Sequence, residues 1–214
     1  FVDCGRLEFV SFQGNEEFDR KKGKGYGEAL ILEYALEHSL FVHQCDFLVK
    51  ITGRLKLLNV NSMIGFHRYI LPHCDIQSEM DRRERYSDSR MLITDKGFLQ
   101  HSFLARKERI DDSKGCNFEH ILFTSIDEQK DFVFYPFLIR PLWRGISGTN
   151  GREYWEGNYT SLKLAYFKRM LNCMTEYNMC HPHNKPSMGV RLVLGMAGMA
   201  VGTVLRFFDW IKNE

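Results

Sequence analysis

Apolar and polar positions follow two different periods in the first part of the chain. The stretch EALILEYALEHSLF (28–41) has no Gly or Pro, and its apolar residues recur at helical spacing opposite Glu33 and Glu37, which predicts a helix. The shorter apolar stretches FVDCG (1–5) and FLVKIT (47–52) predict strands before and after it. Strands that alternate with helices predict an α/β layered domain.

The rest of the chain continues this alternation. A strand that breaks into another element is predicted for MLITDKGFLQHSFLA (91–105), and an extended conformation for the aromatic stretch DFVFYPFLIRPLW (131–143). Helices are predicted for CNFEHILFTSI (116–126) and YTSLKLAYFKRMLNCMTEY (159–177). Loops are predicted around LPHCD (71–75) and for the Gly-rich RGISGTNGREYWEG (144–157).

Composition and charge narrow the classes of function. The chain has 214 residues and is 44% hydrophobic, which is enough to bury the core of one domain. Its net charge is only +2 and the two signs are interspersed, so nucleic-acid binding is not indicated. The six cysteines include no C-x-x-C pair, which is typical of reduced thiols in a cytoplasmic protein.

The two ends of the sequence predict a truncated start and an apolar tail. The chain begins at Phe1, inside a predicted strand and without an initiator Met, so we expect residues upstream of it to be missing. The run LVLGMAGMAVGTVL (192–205) has fourteen uncharged residues, fewer than the roughly 20 that span a bilayer. We therefore expect a main domain over residues 1–185 and an apolar C-terminal helix over 186–214, which either packs on the domain or lies in the membrane interface.

A Gly- and Lys-rich stretch, KKGKGYGE (21–28), lies at the start of the first predicted helix. Glycines allow backbone amides to face an anion, and the partial positive charge of a helix N-terminus adds to the attraction. Lys24, Gly25 and Gly27 are therefore candidate ligands of a diphosphate, and a solvated lysine loop is the alternative. Neither the P-loop spacing nor the dinucleotide-binding fingerprint is present.

The predicted strand FLVKIT ends in a more polar pentapeptide, KITGR (50–54). In open α/β sheets, ligands bind beyond the carboxyl ends of the strands. Lys50, Thr52, Gly53 and Arg54 are therefore candidates for contacting phosphate or sugar oxygens. An ordinary strand end with basic side chains that extend into solvent is the alternative.

Two further motifs hold candidate acid–base groups. In SDSR (87–90), Asp88 and Arg90 fall on the same side of an extended segment. In NFEH (117–120), Glu119 and His120 fall at the start of a predicted helix. A carboxylate at this position either caps the helix or acts as a general base toward a hydroxyl group.

The signals for a metal are weak. The motif CHPH (180–183) has no matching second pair of ligands, as a zinc site would need. The chain also contains no D-x-D motif, the usual holder of a divalent cation on a nucleotide diphosphate. The sequence therefore identifies no metal ligand, and dependence on Mg²⁺ or Mn²⁺ is left open.

Taken in order, five segments resemble bacterial glycosyltransferases of capsule, exopolysaccharide and O-antigen clusters: KGKGYGEALILEYALEHS, DFLVKITGRLKLLN, SDSR, DDSKGCNFEH and GISGTNGREY. The resemblance covers most of residues 1–160. It implies the GT-A nucleotide-sugar fold, an α/β/α sandwich with a mixed, mostly parallel sheet, whose first strand or strands are missing here.

The resemblance also implies roles for the motifs. The Gly- and Lys-rich stretch borders the donor pocket, and KITGR lies where related enzymes carry D-x-D, so Lys50 and Arg54 supply positive charge to the diphosphate leaving group. Glu119 lies about where the large inverting families carry their base, although their motif is Glu-Asp and this chain has Glu119-His120. Asp88, Arg90 and His120 then contact the donor or the acceptor.

The expected function is transfer of a sugar from a nucleotide-diphosphate sugar to a polysaccharide or lipid-linked saccharide. We expect a cytoplasmic protein that lies peripherally on the inner face of the cytoplasmic membrane. One alternative is a nucleotidyltransferase that acts on a sugar phosphate. The other is a non-catalytic module that is recruited to the membrane.

Overall fold

A computed structural model describes residues 7–14, 20–45, 47–146, 151, 153–155, 164–181 and 184. About half of these residues are helical. The helices are α1 (Lys24–His38), α2 (Leu40–His43), α3 (Val60–Ile70), α4 (Phe118–Glu128) and α5 (Leu164–Cys180). The strands are β1 (Phe47–Ile51), β2 (Leu55–Leu57), β3 (Ile76–Ser78), β4 (Met80–Asp81), β5 (Tyr86–Ser87), β6 (Met91–Asp95), β7 (Phe134–Pro136), β8 (Trp143–Ile146) and β9 (Glu153–Trp155). Short 3₁₀ segments lie at Arg20–Lys22, Leu104–Arg109 and Asp112–Lys114, and a π-helical segment at Phe98–Phe103.

The main sheet has four strands in the order β1-β6-β3-β7. Strand β6 is antiparallel to both β1 and β3, and β3 is parallel to β7. The sheet is therefore mixed, as expected, but the prediction that it is mostly parallel is wrong for the described residues. The cause is the hairpin of β4 and β5, which returns the chain directly from β3 to β6, whereas a parallel connection needs a longer crossover.

The side chains of β6 point alternately into two layers. Leu92 packs in the core that contains residues of α1 and α4. Met91 and Ile93 pack on the opposite face, with Met63 of α3 and Trp143 of β8. Because successive residues of a strand face opposite sides of the sheet, helices cover both of its faces. This arrangement confirms the α/β layered domain.

A second, antiparallel sheet has the strand order β2-β8-β9. Strand β9 lies inside the stretch 144–157, so the prediction of a continuous loop there is wrong. Gly145 of β8 has a φ of 142°, and a Cβ at this position would lie 2.9 Å from the carbonyl oxygen of Arg54. Only glycine therefore allows β8 to approach the start of β2 this closely.

Helix α3 was not predicted from the sequence, where loops around LPHCD (71–75) were expected after the strand FLVKIT. Its sequence, VNSMIGFHRYI, combines β-branched residues with Asn and Gly, which are all weak helix formers. Met63 is nevertheless buried in the core on the α3 side of the sheet. Packing of the apolar face of α3, rather than the intrinsic helix propensity of its residues, therefore stabilises this helix.

The helices predicted around residues 28–41, 116–126 and 159–177 correspond to α1, α4 and α5, and FLVKIT corresponds to β1. The predicted strand over residues 1–5 and the apolar segment 192–205 lie outside the described residues. Within the described part of the chain, no helix has the length and apolarity needed to cross a bilayer.

Candidate functional site

Three motifs that the sequence analysis selected separately meet at one end of the main sheet. Because β1 and β6 are antiparallel, the end of β1 brings KITGR beside SDSR, and the amide of Thr52 donates to the carbonyl oxygen of Arg90 over 2.9 Å. The start of α4 contacts the same segment, because Ser89 Oγ donates to Oε1 of Glu119 over 2.6 Å. The structure therefore brings KITGR, SDSR and NFEH together in one site.

Lys50 is enclosed in this site. Its side chain points into the layer of α1 and α4 and is only 9% exposed. The ammonium group forms an ion pair with Glu28 of α1, donates to the carbonyl oxygen of Ser89 and lies 5.4 Å from the ring centre of Phe118. A phosphate would have to displace Glu28 in order to reach this ammonium group.

Glu119 has a fixed orientation at the start of α4. The helix is capped by Asn117, whose Oδ1 accepts a hydrogen bond from the amide of His120 over 3.0 Å. The capping role that was the alternative for Glu119 therefore belongs to Asn117. The half-buried carboxylate of Glu119 is held by the hydroxyl of Ser89 instead.

Asp88 and Arg90 lie on the same side of their segment, as predicted, and they bind each other. Nε of Arg90 lies 3.0 Å and 2.9 Å from the two carboxylate oxygens of Asp88. The guanidinium group also lies 5.6 Å from the ring centre of Trp143. The two charges largely compensate each other within the site.

A cavity of about 340 Å³ opens beside Asp88 and His120. It is lined by Glu79, Met80, Asp81, Glu84, Tyr86, Asp88, His120 and Arg169. The Nδ1 atom of His120 is buried, and no described residue forms a hydrogen bond with it. The cavity is at the small end of the range typical of ligand sites, roughly 300–1,000 Å³.

An ion pair that no sequence motif indicated, between Glu79 and Arg169, lies in the cavity wall. Glu79 follows strand β3, and Arg169 comes from α5, 90 positions later. Burial raises the pKa of Glu79, and the negative charge of the neighbouring Asp88 raises it further. The local signal was slight, since Glu79 begins a segment that is rich in charge, EMDRRER.

The N-terminus of α1 already holds a carboxylate of the protein itself. The amide of Gly25 donates to Oδ2 of Asp112 over 3.2 Å, while Lys24 is exposed and Gly27 is partly buried. Binding of a diphosphate by these three predicted residues stays a prediction. At Gly25, such a ligand would take the place of Asp112.

Gly53 and Arg54 are exposed in the turn that connects β1 and β2. The turn is closed by the amide of Leu55, which donates to the carbonyl oxygen of Thr52 over 3.4 Å. Of the two basic residues of KITGR, Arg54 is therefore the exposed one and Lys50 the enclosed one.

The motif CHPH does not present its first histidine to a metal. The ring nitrogens of His181 lie 3.0 Å from the carbonyl oxygen of Tyr177 and 2.6 Å from that of Asp127. Residues 182–183 lie outside the described residues. In the ranges that the structure describes, no group of three His, Cys, Asp or Glu side chains could hold a metal ion.

Comparison with known proteins identifies no relative: no family model, curated protein or solved structure matches this chain. Conclusions about its function therefore depend on the residues and geometry of the site.

Proposed function

We propose that the protein transfers a sugar from a nucleotide-diphosphate sugar to a polysaccharide or lipid-linked saccharide at the inner face of the cytoplasmic membrane. The observation that carries the proposal is that Asp88 and His120 line one cavity at one end of the sheet, while Glu119, the neighbour of His120 in the sequence, is held by Ser89, the neighbour of Asp88. The order of the motifs along the chain adds support. That the α/β fold is a GT-A sandwich is part of the same proposal.

Glu119 is the proposed general base. An acceptor hydroxyl has to come within hydrogen-bond reach of the base, and Glu119 directly precedes His120, which lines the cavity. In the proposed step, the acceptor oxygen bonds to the anomeric carbon while the bond from that carbon to the diphosphate breaks. The hydroxyl proton passes to Glu119, and the nucleoside diphosphate leaves with the electron pair.

Negative charge develops on the diphosphate as it leaves, so positive groups stabilise the transition state. The exposed Arg54 is the first candidate for this role. Lys24 is the second candidate. It lies on α1 one helical turn before Glu28, the residue that forms the ion pair with Lys50. A divalent cation stays an expectation, and no step of the proposal uses one.

Product analysis tests the proposal directly. The full-length protein is incubated with UDP, GDP and dTDP sugars and with saccharide acceptors, and the released products are identified. A nucleoside diphosphate together with a glycosylated acceptor supports the proposal. Release of pyrophosphate would indicate nucleotidyl transfer, and no product with any donor would favour the non-catalytic module.

A matched pair of variants tests the base. Glu119→Gln should lower kcat roughly 10²- to 10⁴-fold, because a general base is lost, while donor binding persists. Glu128→Gln is the control, because Glu128 lies on the same helix with its side chain 52% exposed, and it should leave kcat unchanged. Ser89→Ala should cause a smaller loss than Glu119→Gln, because it removes only the hydrogen bond that orients the carboxylate. Near-native turnover of Glu119→Gln would remove Glu119 from this role.

A further inference from the structure

The cavity beside Asp88 and His120 carries an excess of negative charge. Among the described residues, its carboxylates are Glu79, Asp81, Glu84 and Asp88, and its lining includes one guanidinium group, that of Arg169. Arg90 pairs with Asp88 from outside the lining. Even with Arg90 included, the carboxylates outnumber the guanidinium groups by two.

The raised pKa of Glu79 agrees with this excess. Burial is its larger cause, and the negative charge of Asp88 is the next. A further anion in the cavity would add to the repulsion that Glu79 already experiences, whereas a cation would relieve it. The diphosphate of a sugar donor is therefore poorly suited to this cavity.

The lining is better suited to a saccharide. Carboxylate oxygens accept hydrogen bonds from hydroxyl groups, and the guanidinium group of Arg169 donates them. His120 also lines the cavity, and its buried Nδ1 has no described hydrogen-bond partner. Met80 and Tyr86 add apolar surface, which ligand sites combine with a few polar groups.

We propose that this cavity binds the acceptor saccharide and selects it by charge. A sugar with a protonated amino group binds most tightly, a neutral sugar less tightly and a uronate least. The assignment to the acceptor rests on the proposed glycosyl transfer. The order of affinities follows from the cavity itself.

The experiment compares three sugars that differ mainly in charge: the methyl glycosides of glucosamine, N-acetylglucosamine and glucuronate. Their binding to the full-length protein is measured by ligand-observed NMR at low ionic strength. We expect the amino sugar to bind about tenfold or more tightly than the uronate. The difference should shrink in about 0.5 M NaCl, because salt screens the interaction.

Two variants with the same change in charge test the origin of the preference. Glu84→Gln removes a carboxylate from an exposed position of the cavity wall, and it should reduce the ratio of the two affinities roughly two- to fivefold. Glu37→Gln removes a carboxylate from an exposed position of α1, and it should leave the ratio unchanged. Uronate binding as tight as that of the amino sugar, no binding of any of the three sugars, or an unchanged ratio in Glu84→Gln would overturn the inference.

Release of nucleoside diphosphate, measured on the same preparations, separates this inference from the proposed function. Release without a charge preference would refute the inference and leave glycosyl transfer supported. A charge preference without release would refute glycosyl transfer and leave a saccharide-binding cavity.

Discussion

Replacing Lys50 by methionine tests whether its ammonium group stabilises the fold or serves a ligand. The change keeps an unbranched side chain of similar length and removes the positive charge. In the native protein this charge pairs with Glu28 and donates to the carbonyl oxygen of Ser89. The variant therefore leaves Glu28 without its partner and the carbonyl group without its donor.

The expected loss of stability follows from the exposure of the two partners. Removing one member of a fully buried ion pair costs about 3–5 kcal/mol, whereas an exposed pair contributes about 0–1 kcal/mol. The side chain of Lys50 is 9% exposed and that of Glu28 is 34% exposed, so water solvates the carboxylate once the lysine is gone. We expect Lys50→Met to lower the free energy of unfolding by about 2 kcal/mol, between these two limits.

The assay is urea denaturation of the native protein, Lys50→Met, Glu28→Gln and the double variant. Because the side chains contact each other, the double variant should lose less stability than the two single variants together, by about 1 kcal/mol or more. Donor binding separates the roles further, since Glu28→Gln leaves the ammonium group available to phosphate and should strengthen donor binding. A Lys50→Met variant that keeps native stability and loses donor binding would refute a structural role for Lys50.

Three further predictions concern the fold and its dependence on pH. Gly25→Ala should destabilise the protein by about 1–3 kcal/mol in urea denaturation through overpacking, because the new Cβ would lie 3.0 Å from the backbone nitrogen of Phe118 at the start of α4; native stability would refute the argument. Tyr177→Phe should cost about 1–2 kcal/mol and lower Tm, since it removes the buried hydroxyl that accepts from Gln129 over 3.1 Å; an unchanged Tm would contradict this. Burial raises the pKa of Glu79, so the folded protein binds the proton of this carboxyl more tightly than the unfolded chain does. The free energy of unfolding therefore falls as the pH rises from the ordinary glutamate pKa to the raised pKa of Glu79. Glu79→Gln should therefore become more stable relative to the native protein as the pH rises, and a difference that does not change with pH would contradict the argument.

Local sequence patterns predicted several elements of the fold correctly. The helices α1, α4 and α5 and the strand β1 lie within or overlap the predicted stretches. Helix α3 also has apolar residues at helical spacing, including the buried Met63, but it was missed because its sequence combines β-branched residues with Asn and Gly, which are weak helix formers. The antiparallel direction of β6 could not be predicted from local patterns either, since it depends on the hairpin of β4 and β5, whose strands are only two residues long.

For the site, the sequence predicted the motifs but not the partners that enclose them. Asp88, Glu119 and His120 were selected, and the structure places Asp88 and His120 in the lining of one cavity and Glu119 against Ser89. Ser89 was not selected, because its hydrogen bond reaches Glu119 across 30 positions. Spacing along the chain reveals pairs such as Asp88 and Arg90, whereas contacts between separate elements depend on the fold.

Several groups that the sequence offered to a phosphate already have a carboxylate partner. Glu28 pairs with Lys50, Asp88 pairs with Arg90, and Asp112 accepts from the amide of Gly25. A donor diphosphate must therefore displace one of these carboxylates or bind to exposed cations such as Lys24 and Arg54. Exposed ion pairs contribute only about 0–1 kcal/mol each, so these cations can orient the diphosphate but cannot supply most of its binding energy. In the proposed enzyme, the affinity for the donor then has to come mainly from its nucleoside and sugar, and the acidic cavity is left to select the acceptor.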